Sequence, residues 1–277
     1  MRIARVLTIA GSDSGGGAGI QADLKTFAAF GVYGCSVITA ITAQNTMGVR
    51  GIYPLSPGIV QQQLEAVLSD IKPDAIKIGM LANAVIIEAV ACTLSQFPRR
   101  PLVLDPVMTA KSGDPLLEQG AVEALRLDLF PLTDMLTPNI PEAEILLGKP
   151  ILDARDMIEA AKAITEMGVG SVLLKGGHAT QQFEPDATST STITDIFYDG
   201  NKLHRIEGPR IDTPHTHGTG CTLSSAIASG LAQGLSPLNA VQKARDYLTG
   251  ALDSAYPVGN GKSPLHHFYR WWGEKAR

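Results

Sequence analysis

The chain has 277 residues, of which 44% are hydrophobic and 18% charged, so it can bury a sizeable core and is not globally disordered. Its 23 lysines and arginines against 27 aspartates and glutamates give a net charge of −4, which excludes the basic surface of a nucleic-acid-binding protein. Three scattered cysteines exclude a disulfide framework or a zinc site, and no apolar run reaches the ~18 residues of a membrane span. We therefore expect a cytoplasmic protein with no membrane contact, and a single domain over residues 1–277.

Short apolar runs alternate with segments whose apolar residues recur at helical spacing. The predicted strands are residues 6–10, 36–41, 75–79, 102–104, 135–137 and 171–175. The predicted helices are residues 20–30, 57–69, 84–96, 117–127, 141–147, 153–167, 218–230 and 237–255. This alternation predicts an α/β fold, a three-layer α/β/α sandwich around a mostly parallel sheet.

The pattern changes after residue 176. Residues 192–198 and 202–206 predict two short strands around the turn Asp199-Gly200-Asn201, which form a small antiparallel hairpin. The polar segment 180–192 is predicted to be a surface loop, and the aromatic C-terminal tail is expected to dock as a helix. Because ligands bind at the carboxyl ends of strands in such sheets, the loops at that edge should hold the functional site.

A glycine-rich loop, GSDSGGGAG at residues 11–19, joins the first strand to the first helix. Five glycines in nine residues let a backbone approach a ligand closely, and the loop ends at a helix N-terminus that favours anions. It is not a Walker P-loop, since no Lys-Ser or Lys-Thr follows the last glycine. A dinucleotide site would need an acidic residue after the next strand, and residues 40–44 contain none. A tight turn without a ligand is the structural alternative.

The most informative segment is DTPHTHGTGC at residues 212–221. Gly218-Thr219-Gly220 precedes a predicted helix, where consecutive backbone N–H groups form an anion hole that suits a phosphoryl group in transfer. Cys221 lies in the first helical turn, which should lower its thiol pKa and allow it to act as a base. The alternative is a small buried cysteine, as we expect for Cys35 and Cys92.

His215 and His217 flank this anion hole. They lack a third ligand at metal spacing, so we expect one of them to contact phosphate or to support a site residue from behind. His204 is expected on a surface strand.

The segment 212–221 resembles the signature of the ribokinase-like superfamily of small-molecule kinases. Most members have aspartate at the base position, whereas Cys221 resembles the branch that phosphorylates hydroxymethylpyrimidine and its monophosphate. Further blocks in the same order over nearly the whole chain carry this resemblance: AGSDSGGGAGIQAD (10–23), TAITAQNT (39–46), KIGM (77–80), LDPVM (104–108), TPN (137–139) and LKGGH (174–178).

The resemblance implies a ribokinase-like fold, ATP and Mg²⁺, and an aminopyrimidine alcohol and its monophosphate as substrates in thiamine biosynthesis. It also implies a homodimer, with the apolar first strands as the contact. Two alternatives stay open: a pyridoxal kinase of the same branch, and a pyrimidine-sensing protein without catalysis.

On the substrate side, the resemblance implies that the Gln44 amide pairs with the aminopyrimidine edge, to which it offers one donor and one acceptor. Ala18, Met80 and the Val107 backbone would line the ring, although Met80 could equally be core. Asp23 would contact the substrate; alternatively, it only caps or solvates its helix.

On the nucleotide side, Asp105 and Glu142 would hold magnesium and its waters, and Glu142 also suits a helix start. The residues that would bind ATP are Asn139, Lys175, Gly176, Thr213, Gly218 and Gly220. The residues that would act in catalysis are Cys221, Gly218, Thr219, Gly220 and Lys175.

Overall fold

The computed structural model describes residues 2–109, 116–118, 120–178 and 192–272. Within them, nine strands form one sheet in the order β3-β2-β1-β4-β5-β6-β7-β8-β9. The strands are β1 Arg5–Asp13, β2 Tyr33–Asn45, β3 Gly48–Pro54, β4 Ala75–Ile78, β5 Leu102–Leu104, β6 Met135–Leu136, β7 Val172–Leu174, β8 Thr192–Tyr198 and β9 Leu203–Pro209. The pairs from β2 through β1 and β4 to β7 are parallel, and β3, β8 and β9 pair antiparallel. The predicted mostly parallel sheet with an antiparallel hairpin is confirmed.

Helices cover both faces of this sheet. They are α1 Gly19–Ala29, α2 Pro57–Ala66, α3 Ala84–Ser95, α4 Ala121–Ala124, α5 Ile140–Leu147, α6 Ala154–Glu166, α7 Thr219–Ala232, α8 Pro237–Asp253 and α9 Tyr269–Trp272. One apolar core joins the sheet to α2–α6, and the other joins it to α1, α7 and α8. Successive residues of a strand lie in opposite cores, because side chains alternate between the two faces of the sheet. Leu102 and Leu104 lie in the core with α2–α6, and Val103 lies in the core with α1, α7 and α8.

Several element boundaries differ from the prediction. The helix predicted at residues 57–69 is α2 followed by a π-helical turn, Val67–Ile71, and the helix predicted at 117–127 is α4 followed by a second π-helical turn, Leu125–Leu129. In the described part of the tail, the predicted helix is the single turn α9. All but the last residue of the predicted loop 180–192 lies outside the described part of the chain.

The strand β3 was not predicted. It contains two glycines and ends at a proline, so its sequence has no strand-like apolar alternation. Its backbone pairs with the second half of β2, with Thr42 opposite Ile52 and Gln44 opposite Val49. The strand therefore exists through hydrogen bonds to a neighbour, and it extends β2 as far as Gln44 and Asn45.

Because β1, β4, β5, β6 and β7 run parallel, their carboxyl ends meet at one edge of the sheet. The glycine loop begins within the last three residues of β1, and Asp105, Asn139 and Lys175 follow β5, β6 and β7 directly or within three residues. In the part of the chain that the structure describes, no helix is both long and apolar enough to cross a membrane.

Candidate active site

The start of α7 packs directly on the glycine loop. Gly218 is the N-cap of this helix and has φ +82, a conformation that favours glycine. A Cβ at Gly218 would overlap the carbonyl oxygen of Gly17, so glycine is also required by space. Among the described side chains none caps this helix, and its Thr219 N–H donates to the Thr216 carbonyl at 3.4 Å. That the remaining N–H groups of this first turn act as the anion hole stays a prediction.

Lys175 and Asp105 form an ion pair beside this anion hole. Lys175 Nζ lies 2.9 Å from Asp105 Oδ1 and 3.9 Å from Glu142 Oε2. A Cβ at Gly220 would lie 3.3 Å from Asp105 Oδ2 and 3.4 Å from Lys175 Nζ, so the first turn of α7 lies directly against the pair. Burial lowers the pKa of Lys175, but the Asp105 and Glu142 carboxylates outweigh it and raise that pKa, so the ammonium stays charged.

Glu142 belongs both to this charge cluster and to the start of α5. It forms a capping box with Asn139: the Asn139 N–H donates to Glu142 Oε2 at 2.8 Å, and the Glu142 N–H donates to Asn139 Oδ1 at 2.9 Å. Burial raises the pKa of Glu142 to about 7, against the opposing effect of Lys175. The helix-start alternative for Glu142 is therefore confirmed, and it is compatible with the predicted nucleotide role.

Cys221 differs from the prediction in its acidity. Burial raises its thiol pKa to about 11, with Asp23 and Asp105 adding to the rise and with Lys77 and the Gly19 N–H opposing it. The prediction of a lowered pKa is wrong, because desolvation of the thiolate outweighs the Lys77 charge and the Gly19 N–H. The thiol is therefore protonated at neutral pH.

Behind the anion hole lies a buried ion pair that the sequence reasoning missed. Lys77 Nζ lies 2.9 and 3.0 Å from the two Asp23 oxygens, which also accept hydrogen bonds from Thr8 Oγ1 at 2.6 Å and Ser225 Oγ at 2.7 Å. The alternative that Asp23 only caps or solvates α1 is wrong, since its side chain is fully buried. Its contact with the substrate stays a prediction. A lysine inside the apolar strand β4 was the available signal, because a buried ammonium requires a carboxylate partner.

The predicted substrate side forms around Gln44. Thr42 Oγ1 lies 3.1 Å from Gln44 Oε1, and Gln44 Nε2 lies 3.5 Å from His217 Nε2. His217 in turn lies 2.8 Å from Asp13 Oδ2. Gln44 is thus next to the segment that precedes α7, so the predicted ring pocket and the predicted anion hole would be neighbours.

The other predicted pocket residues occupy defined positions. Met80 is buried in the core, with its sulfur 3.0 Å from where a Cβ on Gly11 would lie. The Val107 N–H donates to the Asp105 carbonyl at 2.8 Å, and the Ala18 N–H donates to Asp13 at 2.8 Å. Their contacts with a ring stay predictions.

On the nucleotide side, the Gly176 N–H donates to Asp195 Oδ1 at 2.8 Å, which anchors the loop after β7. Thr213 Oγ1 accepts the His215 N–H at 3.2 Å within its own turn. No described contact joins Thr213 to Lys175, Asp105 or Glu142. The predicted role of Thr213 in ATP binding stays a prediction.

The two cysteines predicted as core differ from each other. Cys35 is buried, and its thiol donates to the Val6 carbonyl at 3.4 Å, as expected. Cys92 is exposed on α3, so its prediction as a buried residue is wrong: it falls on the outer face of that helix.

Comparison with known proteins identifies relatives over nearly the whole chain. The hydroxymethylpyrimidine/phosphomethylpyrimidine kinase of Rhizobium meliloti is 51% identical over 269 residues, which cover 96% of this chain and 97% of that protein. The thiamine biosynthesis bifunctional protein ThiED of Geobacter sulfurreducens is 51% identical over 262 residues; these cover 95% of this chain but only 52%, about half, of that protein.

Among solved structures, the ADP complex of Bacillus subtilis pyridoxal kinase has a TM-score of 0.86 at 37% identity, and the match covers 96% of this chain and 98% of that one. The sheet and its flanking helices are thus the predicted ribokinase-like arrangement. The sequence profile described as phosphomethylpyrimidine kinase matches residues 13–266. With this profile spanning most of its length, the chain belongs to the phosphomethylpyrimidine kinase family.

Proposed function

We propose that the chain transfers a phosphoryl group from ATP to the hydroxymethyl oxygen of 4-amino-5-hydroxymethyl-2-methylpyrimidine, and then a second one to give the diphosphate, in thiamine biosynthesis. The observation that carries this proposal is the start of α7 against the Lys175–Asp105 pair, with Lys175 Nζ 3.4 Å from where a Cβ on Gly220 would lie. The ADP bound to the related B. subtilis pyridoxal kinase supports an adenine nucleotide as the donor.

The chain's own groups stabilise the charge that moves during transfer. A phosphoryl group in transfer carries negative charge on its equatorial oxygens, which the Gly220 and Cys221 N–H groups and the Lys175 ammonium offset. Donors held by a helix start and an ion pair would need little reorganisation during transfer. Lys175 is held by Asp105, which in turn accepts from Thr137 Oγ1 at 3.1 Å.

Asp105 and Glu142 would hold magnesium. Both are buried oxygen donors, which this hard cation prefers. Among the described residues, no group of three or more His, Cys, Asp or Glu side chains could enclose a metal ion, so phosphate and water oxygens would complete its shell. Bound there, Mg²⁺ would supply charge neutralisation at the phosphates.

Cys221 takes the proton of the substrate alcohol as its oxygen attacks phosphorus. The base is the thiolate, which becomes the thiol as the new O–P bond forms and the bond to ADP breaks. Because the thiol pKa is near 11, the thiolate is a small fraction at neutral pH, and the positive charge of Lys77 favours it. The second transfer starts from an ionised phosphate, so it needs no such proton removal.

The test is the product mass after incubation with Mg-ATP and the pyrimidine alcohol, beside a parallel incubation with pyridoxal. Masses of the mono- and diphosphate are expected. Arrest at the monophosphate would overturn the second step. Phosphorylation of pyridoxal alone would favour the pyridoxal kinase alternative, and no product from either compound would leave the sensing alternative.

A homodimer is part of this proposal. Three large side chains on β2 and β3, Tyr33, Ile41 and Tyr53, are at least half exposed, and Ile41 and Tyr53 form a cross-strand pair. They support the first strands as the contact. Light scattering after gel filtration should give twice the chain mass, and Tyr53→Glu should halve it.

The three free cysteines support the predicted reducing, cytoplasmic location.

A further inference from the structure

Asp13 organises the glycine loop from within. Its carboxylate accepts the Gly15 N–H at 2.8 Å, the Gly17 N–H at 3.0 Å and the Ala18 N–H at 2.8 Å. It is 3% exposed, and the His217 ring is its fourth partner, with Nε2 2.8 Å from Oδ2. The loop therefore folds around a buried carboxylate of its own.

His217 joins this loop to the start of α7. Its backbone N–H donates to the Ser263 carbonyl at 3.1 Å, and the next residue, Gly218, is the N-cap of the helix. A Cβ at Gly17 would overlap the His217 ring, so the loop and the ring are in close contact. The Asp13–His217 pair thus connects two segments that are 204 residues apart in sequence.

The same ring nitrogen faces Gln44. A carboxylate can only accept hydrogen bonds, so Nε2 of His217 must carry a hydrogen and donate it to Asp13. The hydrogen occupies the position of the Nε2 lone pair, so this ring nitrogen cannot accept a hydrogen bond from Gln44 Nε2, which lies 3.5 Å from it. If the hydrogen moved to Nδ1, the Gln44 amide would instead donate to His217 and be withdrawn from a ligand.

We propose that Asp13 and His217 are positioning residues for the pyrimidine. Asp13 keeps the ring hydrogen of His217 on Nε2, so the Gln44 amide stays available to bind the substrate. The same pair holds the glycine loop against α7. This inference rests on the proposed function. It also assigns His217 to the substrate side, whereas the sequence left a phosphate contact open.

Steady-state kinetics of Asp13→Asn, His217→Ala and the double variant test the pair. Each single variant should raise KM for the pyrimidine alcohol about tenfold, with KM for ATP changed less than about twofold, and the double variant should match the singles because the two residues act as one unit. His217→Gln should recover part of the loss, since its amide N–H can replace the ring N–H. His204→Gln, on the surface strand β9, is the matched control.

Equal rises in KM for both substrates, or single effects that multiply in the double variant, would overturn the inference. A nitrogen NMR spectrum of the labelled, unliganded wild-type protein provides a readout that does not require turnover or a variant that folds. The His217 ring should carry hydrogen on Nε2, and a ring protonated on Nδ1 alone would overturn the inference. Wild-type protein that fails to phosphorylate the pyrimidine would overturn the proposed function. The ring spectrum would still test whether Asp13 keeps the hydrogen on Nε2 of His217.

Discussion

Lys77 and Asp23 form a fully buried ion pair, with Nζ 2.9 Å from Oδ2 and neither side chain exposed to solvent. Burial lowers the pKa of Lys77, but the Asp23 carboxylate outweighs this effect and raises that pKa, so the ammonium stays charged inside the fold. It links β4 to α1, and Ser225 of α7 completes it from the helix that carries Cys221. The pair therefore fixes the three elements that form the back of the site.

Asp23→Asn should destabilise the chain by about 3–5 kcal/mol, because it leaves a buried ammonium without its counter-charge. Urea unfolding at neutral pH measures the change, and Asp70→Asn on the exposed end of the turn after α2 is the control. Replacing both partners by apolar residues, Asp23→Leu with Lys77→Met, should recover most of the loss. A loss below about 1 kcal/mol for the single variant would contradict this account.

Lys175→Met should lower kcat at least about 100-fold, because it removes a positioned cation from the charge that develops in transfer. It also leaves Asp105 and Glu142 without their shared partner. Steady-state turnover measures the effect, and circular dichroism verifies the fold. Lys149→Met, an exposed change just after α5, should retain full activity. A Lys175 variant with near wild-type kcat would remove this residue from the mechanism.

Cys221→Ala should slow phosphorylation of the alcohol about 10²–10⁴-fold, the usual contribution of a general base. Phosphorylation of the monophosphate should change less than about tenfold, since that acceptor is already ionised. Separate assays that start from each acceptor provide the comparison. Equal loss in both steps, in a variant that keeps its fold, would exclude Cys221 as the base.

The rate at which the Cys221 thiol is alkylated should rise with pH over the neutral and mildly alkaline range. Its pKa is near 11, so the thiolate fraction rises about tenfold per pH unit below that value. Alkylation of Cys221 by iodoacetamide, followed by peptide mass spectrometry, should therefore accelerate about 100-fold between pH 7 and pH 9. The rate of the first transfer should rise in the same direction. An alkylation rate that is flat above pH 7 would instead indicate a lowered pKa.

His267 should make the fold sensitive to acid. Burial lowers its pKa to about 4, and Thr222 Oγ1 lies 3.0 Å from Nε2. Between pH 6.5 and pH 4 the unfolded chain binds a proton that the folded chain does not, so the free energy of unfolding falls by about 1.4 kcal/mol per pH unit as the pH drops.

His267→Gln should remove this part of the slope while keeping a polar partner for Thr222. Urea unfolding at pH 4.5, 5.5 and 6.5 compares the variant with wild type, and His204→Gln provides the control. Identical slopes for wild type and His267→Gln would contradict the assignment.

Most of the fold was predictable because its causes are local. Apolar runs such as residues 102–104 and helical spacing such as that of residues 84–96 depend on near neighbours in the chain, and both elements formed as predicted. The strand β3 was not predictable, since its glycines and proline carry no strand pattern and only pairing with β2 creates it.

The sequence by itself determined the alternating strands and helices, the glycine loop, the Gly-Thr-Gly helix start and the order of the family's motifs, because each depends on a short stretch of chain. Only the tertiary structure decided which side chains meet. It pairs Lys77 with Asp23 and His217 with Asp13, contacts between segments 54 and 204 residues apart. It also reversed the expected acidity of Cys221, since the helix start acts locally while desolvation depends on everything packed around the thiol.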